Sequence, residues 1–592
     1  MNQIVIHDAR QKQWLKFTQP SFIITTYSLT EVIEKLQWVN ELVKQHNMYA
    51  VGFLSYEAAA AFDEALVTHK SDSFPLLWFG LYEQPEQITL PRSSTQNYNL
   101  NWSPTVTKTE YDRAITQIKQ YISCGDTYQV NYTTRLQAEF IGNGWEYFLQ
   151  LSSAQQANYG AYIELDDWAI CSASPELFFT WDGKQIVTRP MKGTSARGLT
   201  GKGDRAMAQW LQNSVKNKAE NVMIVDMIRN DLAKIAELNS VRVPSLFDVE
   251  QYPTLWQMTS TVTANTKASL TEIMTALFPC ASITGAPKPR TMEIIRSLEK
   301  TPRNIYTGTI GFITPNNYAQ FNVAIRTVLI DKQTNRAQYG VGGGIVWDSA
   351  SASEYEECQI KARVLLPRRH DFELLETILW TPSKEYFLLD YHLQRLQDSA
   401  LYFNFNFDLV TIEKRLLEIS NKLSDRAYKV RLIVDKKGKI AIETMPFTPD
   451  RPSKVINLGI ATKPIDLHDT FLYHKTTKRD FYDRVRQDNP NYDDVLLWNE
   501  SQEITESCIA NVVIKLNGKL LTPPVDSGLL AGTFRAYLLD SKQIEEAVIK
   551  LEDLSQCEAI YLINSVRKWQ KATPQALFDF VNLDNSLLAN SD

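Results

Sequence analysis

Short runs of β-branched and aromatic residues recur through the middle of the chain among only a few helical patterns, as in Ala161–Leu165 (AYIEL), Glu176–Trp181 (ELFFTW) and Ala319–Ile330 (AQFNVAIRTVLI). They follow no regular strand–helix–strand alternation, so an open parallel sheet with crossover helices is not the expected product. The pattern predicts an α+β fold. At 592 residues the chain has sequence for about four domains or subdomains. Its 44% apolar and 22% charged residues are ordinary values for folded cores.

Two breaks organise this length. The polar stretch Gln84–Thr107 reads as a loop between subdomains, dividing a part of about 1–105 from one of about 106–367. At Pro367–Phe372 a charged helical segment gives way to a new strand-like run, which places the main boundary between a first region, 1–367, and a second, 371–592. No repeat or low-complexity segment interrupts either region.

Several function classes drop out on composition. A net charge of −6 offers no basic excess for a nucleic acid or an anionic bilayer. Six scattered cysteines without a CxxC pair read as reduced thiols, and with no leader-like N-terminus or long apolar run the expectation is a cytoplasmic protein with no membrane contact. None of the seven histidines lies between Lys70 and Arg369, which excludes a zinc site of the His/Cys kind and a Ser-His-Asp triad there. A hard, oxygen-ligated cation such as Mg²⁺ stays open. The Rossmann and Walker A fingerprints are both missing.

Between Lys70 and Arg369 any acid, base or metal ligand must then come from carboxylates, lysine, tyrosine and backbone. The segment around Val222–Ile228 is apolar almost all round, which predicts a buried helix. Asp226 can pair with Arg229 and Asn230 on it, or serve a site with Asp231, while Glu220, one turn earlier, is read as a site residue. Glu354, Glu357 and Lys361 share one helical face, as a solvated charge stripe or as a carboxylate pair that holds Mg²⁺ with Glu220. Gly285 and Ala286 before Pro287 would leave backbone N–H groups free at a turn, and Gly342, Gly343 and Gly344 would let the chain approach a ligand. With Arg326 these sketch a pocket for a small di-anion, or simply a glycine-rich hairpin with a structural arginine.

Taken together and in order, SPELFF, TRPMKGTSARG, AENVMIVDMIRNDL, FPCASITGAPK, IYTGTIGF, AIRT, GVGGGIV and SEYEECQIKA resemble the chorismate-utilising enzymes over roughly 110–365, and VGFLSYE at Val51–Glu57 resembles their N-terminal part. The resemblance implies a mixed two-sheet domain. In this family the PxKGT or PxAGT block separates activities, with lysine in aminodeoxychorismate synthases and alanine in anthranilate synthases; here the residue is Lys192. By that match Lys192, neutralised by its pocket, attacks the ring of chorismate at C2 and expels the C4 hydroxyl, after which ammonia enters at C4. Glu176 would transfer protons. Glu220 and Glu357 would hold Mg²⁺, with Glu354 helping directly or through water. Arg326, Tyr306 and the Gly285 and Gly343 amides would bind substrate carboxylates, with Thr284, Ala286, Gly342 and Lys361 beside them. Two positions depart from the family: Asn217 stands where a carboxylate often precedes the metal-binding glutamate, and Gln257-Met-Thr-Ser replaces His-Leu-Val-Ser. No cysteine sits in a glutaminase elbow, so ammonia would come from a separate glutamine amidotransferase subunit.

In the second region, Leu393, Leu396, Ala400 and Phe403 recur at helical spacing and are expected core positions. Lys475, Glu506 and the Gly532-Thr533 turn each have an ordinary surface or turn reading. As an ordered set they resemble the fold-type IV pyridoxal-phosphate enzymes, which include transaminases and aminodeoxychorismate lyase. By that match Lys475 bonds to pyridoxal 5′-phosphate, Arg395 and Thr533 contact its phosphate with Gly532 beside them, and Glu506 pairs with the pyridine nitrogen. The resemblance leaves room for a homodimer through this region. The fusion implies consecutive steps from chorismate to 4-aminobenzoate for folate synthesis. The alternatives are an anthranilate-type synthase joined to a transaminase, and a silent scaffold that binds a glutaminase.

Overall fold

The computed structural model describes residues 3–91, 98–366, 372–448 and 454–574. The chain divides into two units, Met1–Arg197 with Met207–Arg368, and Gly198–Ala206 with Arg369–Asp592.

The first unit stacks two sheets of ten strands, antiparallel throughout. One sheet runs from Gly285–Ala286 through Gln129–Glu139, Arg336–Ile345, Thr327–Asp331, Trp168–Ser174 and Tyr159–Glu164 to Gln3–Asp8. The other runs from Met191–Ala196 through Leu255–Asn265, Gln185–Arg189, Leu177–Trp181, Ala319–Val323 and Thr309–Ile313 to Tyr49–Leu54 and its neighbours. Their inner faces meet through Ile4, Ile6 and Phe17 on one side and Val51, Phe53, Trp78, Ile310 and Phe312 on the other. Val5 points the other way, under the helix Gly144–Gln155, and Ala50, Leu54 and Phe79 lie under the helices Val32–His46, Val215–Ala233 and Leu270–Leu277. Both faces of each sheet are therefore covered, which is why these strands read as unbroken apolar runs and not as alternating ones. Each large apolar side chain buried this way contributes about 1.5–3 kcal/mol.

The first hundred residues form no layer of their own, since Gln3–Asp8 and Tyr49–Leu54 are laid into different sheets. Two short strands, Glu86–Ile88 and Ser103–Pro104, lie in the stretch expected as a loop; residues 92–97 of it are outside the described residues, as are 367–371 of the second break. The helix Val215–Ala233 buries one face only, through Asn221, Ile224, Val225, Ile228, Asp231 and Leu232. Val222, expected inside, is exposed because the sheet covers a single side. On the open side Arg229 pairs with Asp226 at 2.7 Å.

The second unit has a four-stranded antiparallel sheet, Leu374–Thr381 central, backed by the helices Leu389–Phe403 and Leu409–Ser420. Leu393, Leu396 and Ala400 are in this core and Phe403 packs on its edge. A second, eight-stranded sheet curls until Ile504–Ser507 pairs with Asn511–Leu516 at Glu506 and Asn511. Among the described residues no helix is long and apolar enough to cross a membrane.

Candidate active site

Lys192 sits on Met191–Ala196, an edge strand whose burial alternates residue by residue. Its Nζ lies 3.2 Å from Glu220 Oε2 on the helix Val215–Ala233. Gly193, at φ +104°, brings strand and helix this close, because a Cβ there would press on Asn217 and Met258 at 3.2 Å. The backbone around the lysine is braced: Asn221 Nδ2 donates to Lys192 O at 3.2 Å, and Gln257 Nε2 donates to Gly193 O at 2.8 Å. Gln257 thus supports the strand where relatives place an imidazole. Asn217 lines the cavity too, with its amide bonded to Ser214 Oγ at 2.9 Å.

Across the cavity runs Arg336–Ile345. A Cβ on Gly344 would come 2.2 Å from Lys192 Nζ and 3.0 Å from the Gln129 amide, so only glycine leaves room for the amine. Gln129 is fully buried and neither atom of its amide has a protein partner. Nothing in the local sequence marks it. Gly342, Gly343, Tyr306, Tyr339 and Lys361 line the same space.

Four cations, Lys192, Lys216, Arg326 and Lys361, face four carboxyl groups, Glu176, Glu220, Glu354 and Glu357. Burial pushes Glu176 up to about 7, against hydrogen bonds from Ser282 Oγ at 2.7 Å and Met191 N at 3.4 Å. A carboxyl poised there can give and take protons near neutrality. Arg326, at φ +49°, is buried with Nη1 unpartnered, and burial pulls it below the usual arginine range. An orphaned guanidinium N–H facing a cavity suits an anionic guest. Burial, then the Glu357 charge, raises Glu354, whose Oε1 accepts from Ser349 Oγ at 2.7 Å. Burial also acts on Glu357, but Lys361 at 2.7 Å outweighs it and holds that carboxyl low.

Behind this wall is a buried hub absent from the sequence reading. Arg303 donates to Ile283 O and Asn131 O, both at 2.9 Å, and pairs with Glu299 at 2.6 Å. Ile283 and Asn131 line the cavity. Glu57 of the VGFLSYE segment receives Arg303 N at 2.7 Å and Asn304 N at 2.9 Å, so the N-terminal strands brace the site indirectly. Thr284, Gly285 and Ala286 do not line the cavity as expected; Ser282 and Ile283 take that place. The Thr284 hydroxyl turns back to Cys280 O and Ala281 O, and Gly285–Ala286 pairs as a strand with Val130 and Gln129.

For a divalent cation the donors are of the right, hard type. Lys216 marks the place: its half-exposed Nζ stands 3.9 Å from Glu220 Oε1 and 3.6 Å from Glu354 Oε1, a cation bridging the two carboxylates. Among the described residues no three His, Cys, Asp or Glu stand close enough to clasp a metal together.

In the second unit burial of Lys475, then the Arg395 charge, brings its ammonium down to about 8. Burial raises Glu506 to about 8, with Tyr482 Oη donating to it at 2.8 Å and Asn511 Nδ2 at 3.3 Å. Lys475 and Glu506 each feel the other's charge. An amine so easily deprotonated captures aldehydes, and a carboxyl holding a proton can share it with a ring nitrogen, so the pair fits pyridoxal 5′-phosphate. Gly532 is needed where it stands, since a Cβ would strike Asn511 Oδ1 at 1.9 Å. The Thr533 hydroxyl, expected on the phosphate, is hydrogen-bonded to His392 Nε2 at 3.2 Å.

Comparison with known proteins agrees with both units. The profile of the family described as "chorismate binding enzyme" matches residues 1–367, and that of "Amino-transferase class IV" matches 373–573. "Aminodeoxychorismate synthase component 1" of Salmonella typhimurium is 42% identical over 269 residues, 45% of this chain and 59% of the relative. The protein of the same name from Bacillus subtilis is 34% identical over 354 residues, 53% of this chain and 75% of the relative. The chain thus spans about 59% of the length of the Salmonella relative. Anthranilate synthase component I from Streptococcus pneumoniae superposes with a TM-score of 0.52 at 24% identity, over 61% of this chain and 92% of that one, a likeness of fold.

Proposed function

Since the chain belongs to the chorismate binding enzyme family over residues 1–367, we propose that its first unit aminates chorismate to 4-amino-4-deoxychorismate and that its second releases pyruvate from that product, leaving 4-aminobenzoate. The observation that carries the first step is the Lys192 amine, 3.2 Å from Glu220, in one cavity with Glu176 and the unpartnered Arg326 Nη1.

Arg326 and Lys361 receive the substrate carboxylates, and Tyr306 and the glycine strand shape the ring site. Lys192 attacks ring C2 as the free amine, its ammonium proton having gone to solvent. The C2–N bond forms, the ring double bonds shift, and the C4–O bond breaks as Glu176 gives its proton to the departing hydroxyl. Ammonia then attacks C4, the double bonds shift back, the C2–N bond breaks to free Lys192, and Glu176 recovers a proton from the entering nitrogen. Water is the only other product. Glu220 and Glu354, with Glu357, are the residues that would hold Mg²⁺, whose charge would neutralise a substrate carboxylate.

Ammonia comes from a separate glutaminase subunit. Burial raises the Cys280 and Cys508 thiols to about 12 and Cys358 to about 11, which makes them poor nucleophiles. All six cysteines are unpaired, as suits a reducing compartment such as the cytoplasm.

In the second unit, pyridoxal 5′-phosphate supplies an electron sink for the carbanion of the bound substrate. Lys475 would hold it, with Glu506 at the ring nitrogen and Arg395 and the Gly532–Thr533 backbone at the phosphate. Lys475 takes the C4 proton of aminodeoxychorismate and returns it to the leaving enolpyruvyl group, and the ring becomes aromatic. The test is to incubate the full chain with chorismate, ammonium, Mg²⁺ and pyridoxal 5′-phosphate and identify the products. The expected outcome is 4-aminobenzoate with pyruvate; 2-aminobenzoate, or no aminated product, overturns the proposal.

A further inference from the structure

Glu376, on Leu374–Thr381, and His392, on Leu389–Phe403, are both buried, and neither has a place in the chemistry above. They touch every side-chain group assigned to the cofactor phosphate. His392 Nδ1 lies 2.6 Å from Glu376 Oε2, and His392 Nε2 lies 3.2 Å from Thr533 Oγ1. The same carboxylate receives a two-pronged contact from Arg395, Nε to Oε1 at 2.8 Å and Nη2 to Oε2 at 2.7 Å. Arg395 Nη1 donates to Ala531 O at 3.1 Å, in the residue just before Gly532 and Thr533. One buried carboxylate therefore organises two elements that the sequence separates by more than a hundred residues.

The protons in this chain of contacts can be followed. Burial works against the Glu376 charge, but Arg395 and then His392 outweigh it and hold the carboxyl at about 2. An ionised carboxylate only accepts, so Nδ1 must carry the imidazole hydrogen. Burial holds His392 below its ordinary range, against the pull of Glu376 and aided by the Arg395 and Lys475 charges. The imidazole is then neutral, Nε2 is an acceptor, and the Thr533 hydroxyl donates to it. With that hydrogen committed, Thr533 can offer a phosphate its backbone N–H. Gly532 is the N-cap of the helix Thr533–Asp540 and has no side chain to occupy the first-turn N–H groups.

We propose that Glu376 and His392 are a positioning pair that holds the Arg395 guanidinium and the first turn of Thr533–Asp540 in place for the phosphate of the cofactor, without touching it. An arginine fork already fixed by a carboxylate loses little side-chain freedom when the phosphate arrives. The hydrogen bond through His392 and Thr533 ties the helix start to the same anchor. This inference rests on the class IV reading of the second unit.

The test separates the phosphate from the rest of the cofactor. The full chain, freed of cofactor, is titrated with pyridoxal 5′-phosphate and with pyridoxal, which lacks the phosphate, following the absorbance change on capture of the aldehyde by Lys475. Glu376→Gln removes the charge that pairs with Arg395 and should weaken binding of the phosphorylated ligand by about tenfold or more. Binding of pyridoxal, which also reports that the variant is folded, should stay within about twofold. His392→Asn should give the same selective loss. Equal weakening of both ligands, or of neither, in both variants overturns the positioning role. Failure of the unsubstituted chain to take up either ligand overturns the cofactor reading itself, a result distinct from loss of selectivity.

Discussion

At the scale of single residues, Lys192 and Glu176 divide the proposed amination between a nucleophile and a proton carrier. Lys192→Ala should cut aminodeoxychorismate formation by at least about a thousandfold while supplied aminodeoxychorismate is still converted to 4-aminobenzoate, as read by a product assay. Glu176 is raised by burial to about 7 and works first as an acid. Amination should therefore hold below pH 7 and fall as the pH rises through that value and the proton is lost. Glu176→Gln should lower the rate by about a hundredfold or more and remove that limb from the pH profile. The lysine could be picked out from its block in the sequence. The poise of Glu176 could not, because burial under the covering core raises it while Ser282, distant in the chain, holds it back.

At the scale of elements, the site depends on how closely two strands and one helix approach. Gly344→Ala puts a methyl group where the Lys192 amine lies, 2.2 Å away. The amine is the far end of a flexible chain, so the fold should change in stability by less than about 1 kcal/mol. Moving the nucleophile should reduce amination by about a hundredfold; thermal unfolding and initial rates measure the two effects separately. Gln257→Ala leaves Gly193 O without its buried donor and should cost about 1–3 kcal/mol in denaturant unfolding, with amination falling as the Lys192 strand loosens. The glycines of the 340–344 strand were visible as a cluster in the sequence. The pairing of Gly285–Ala286 with Val130 and Gln129 is one that no local pattern reveals.

At the scale of the whole molecule, two chemistries share one chain, and each has its own lysine. In the full-length Lys475→Ala variant aminodeoxychorismate should accumulate, its rate of formation unchanged within about twofold, while 4-aminobenzoate disappears; chromatography of the reaction mixture follows both. The amino-acid sequence alone determined the mixed α+β character, the exclusion of histidine chemistry between Lys70 and Arg369, and the ordered blocks that carry Lys192, Glu220, Arg326 and Glu357, because these are properties of residue type and spacing. Only the tertiary structure decided that Val51–Glu57 braces the cavity through Arg303, that Gln129 and Gln257 stand at the nucleophile, and that Glu376 gathers Arg395 and His392. The physical reason is that a buried polar group must find its partner wherever the sheets bring one within reach. Gln257 reaches Gly193 from the neighbouring strand of the same sheet, 64 residues on in the chain, and Glu57 reaches Arg303 across 246 residues.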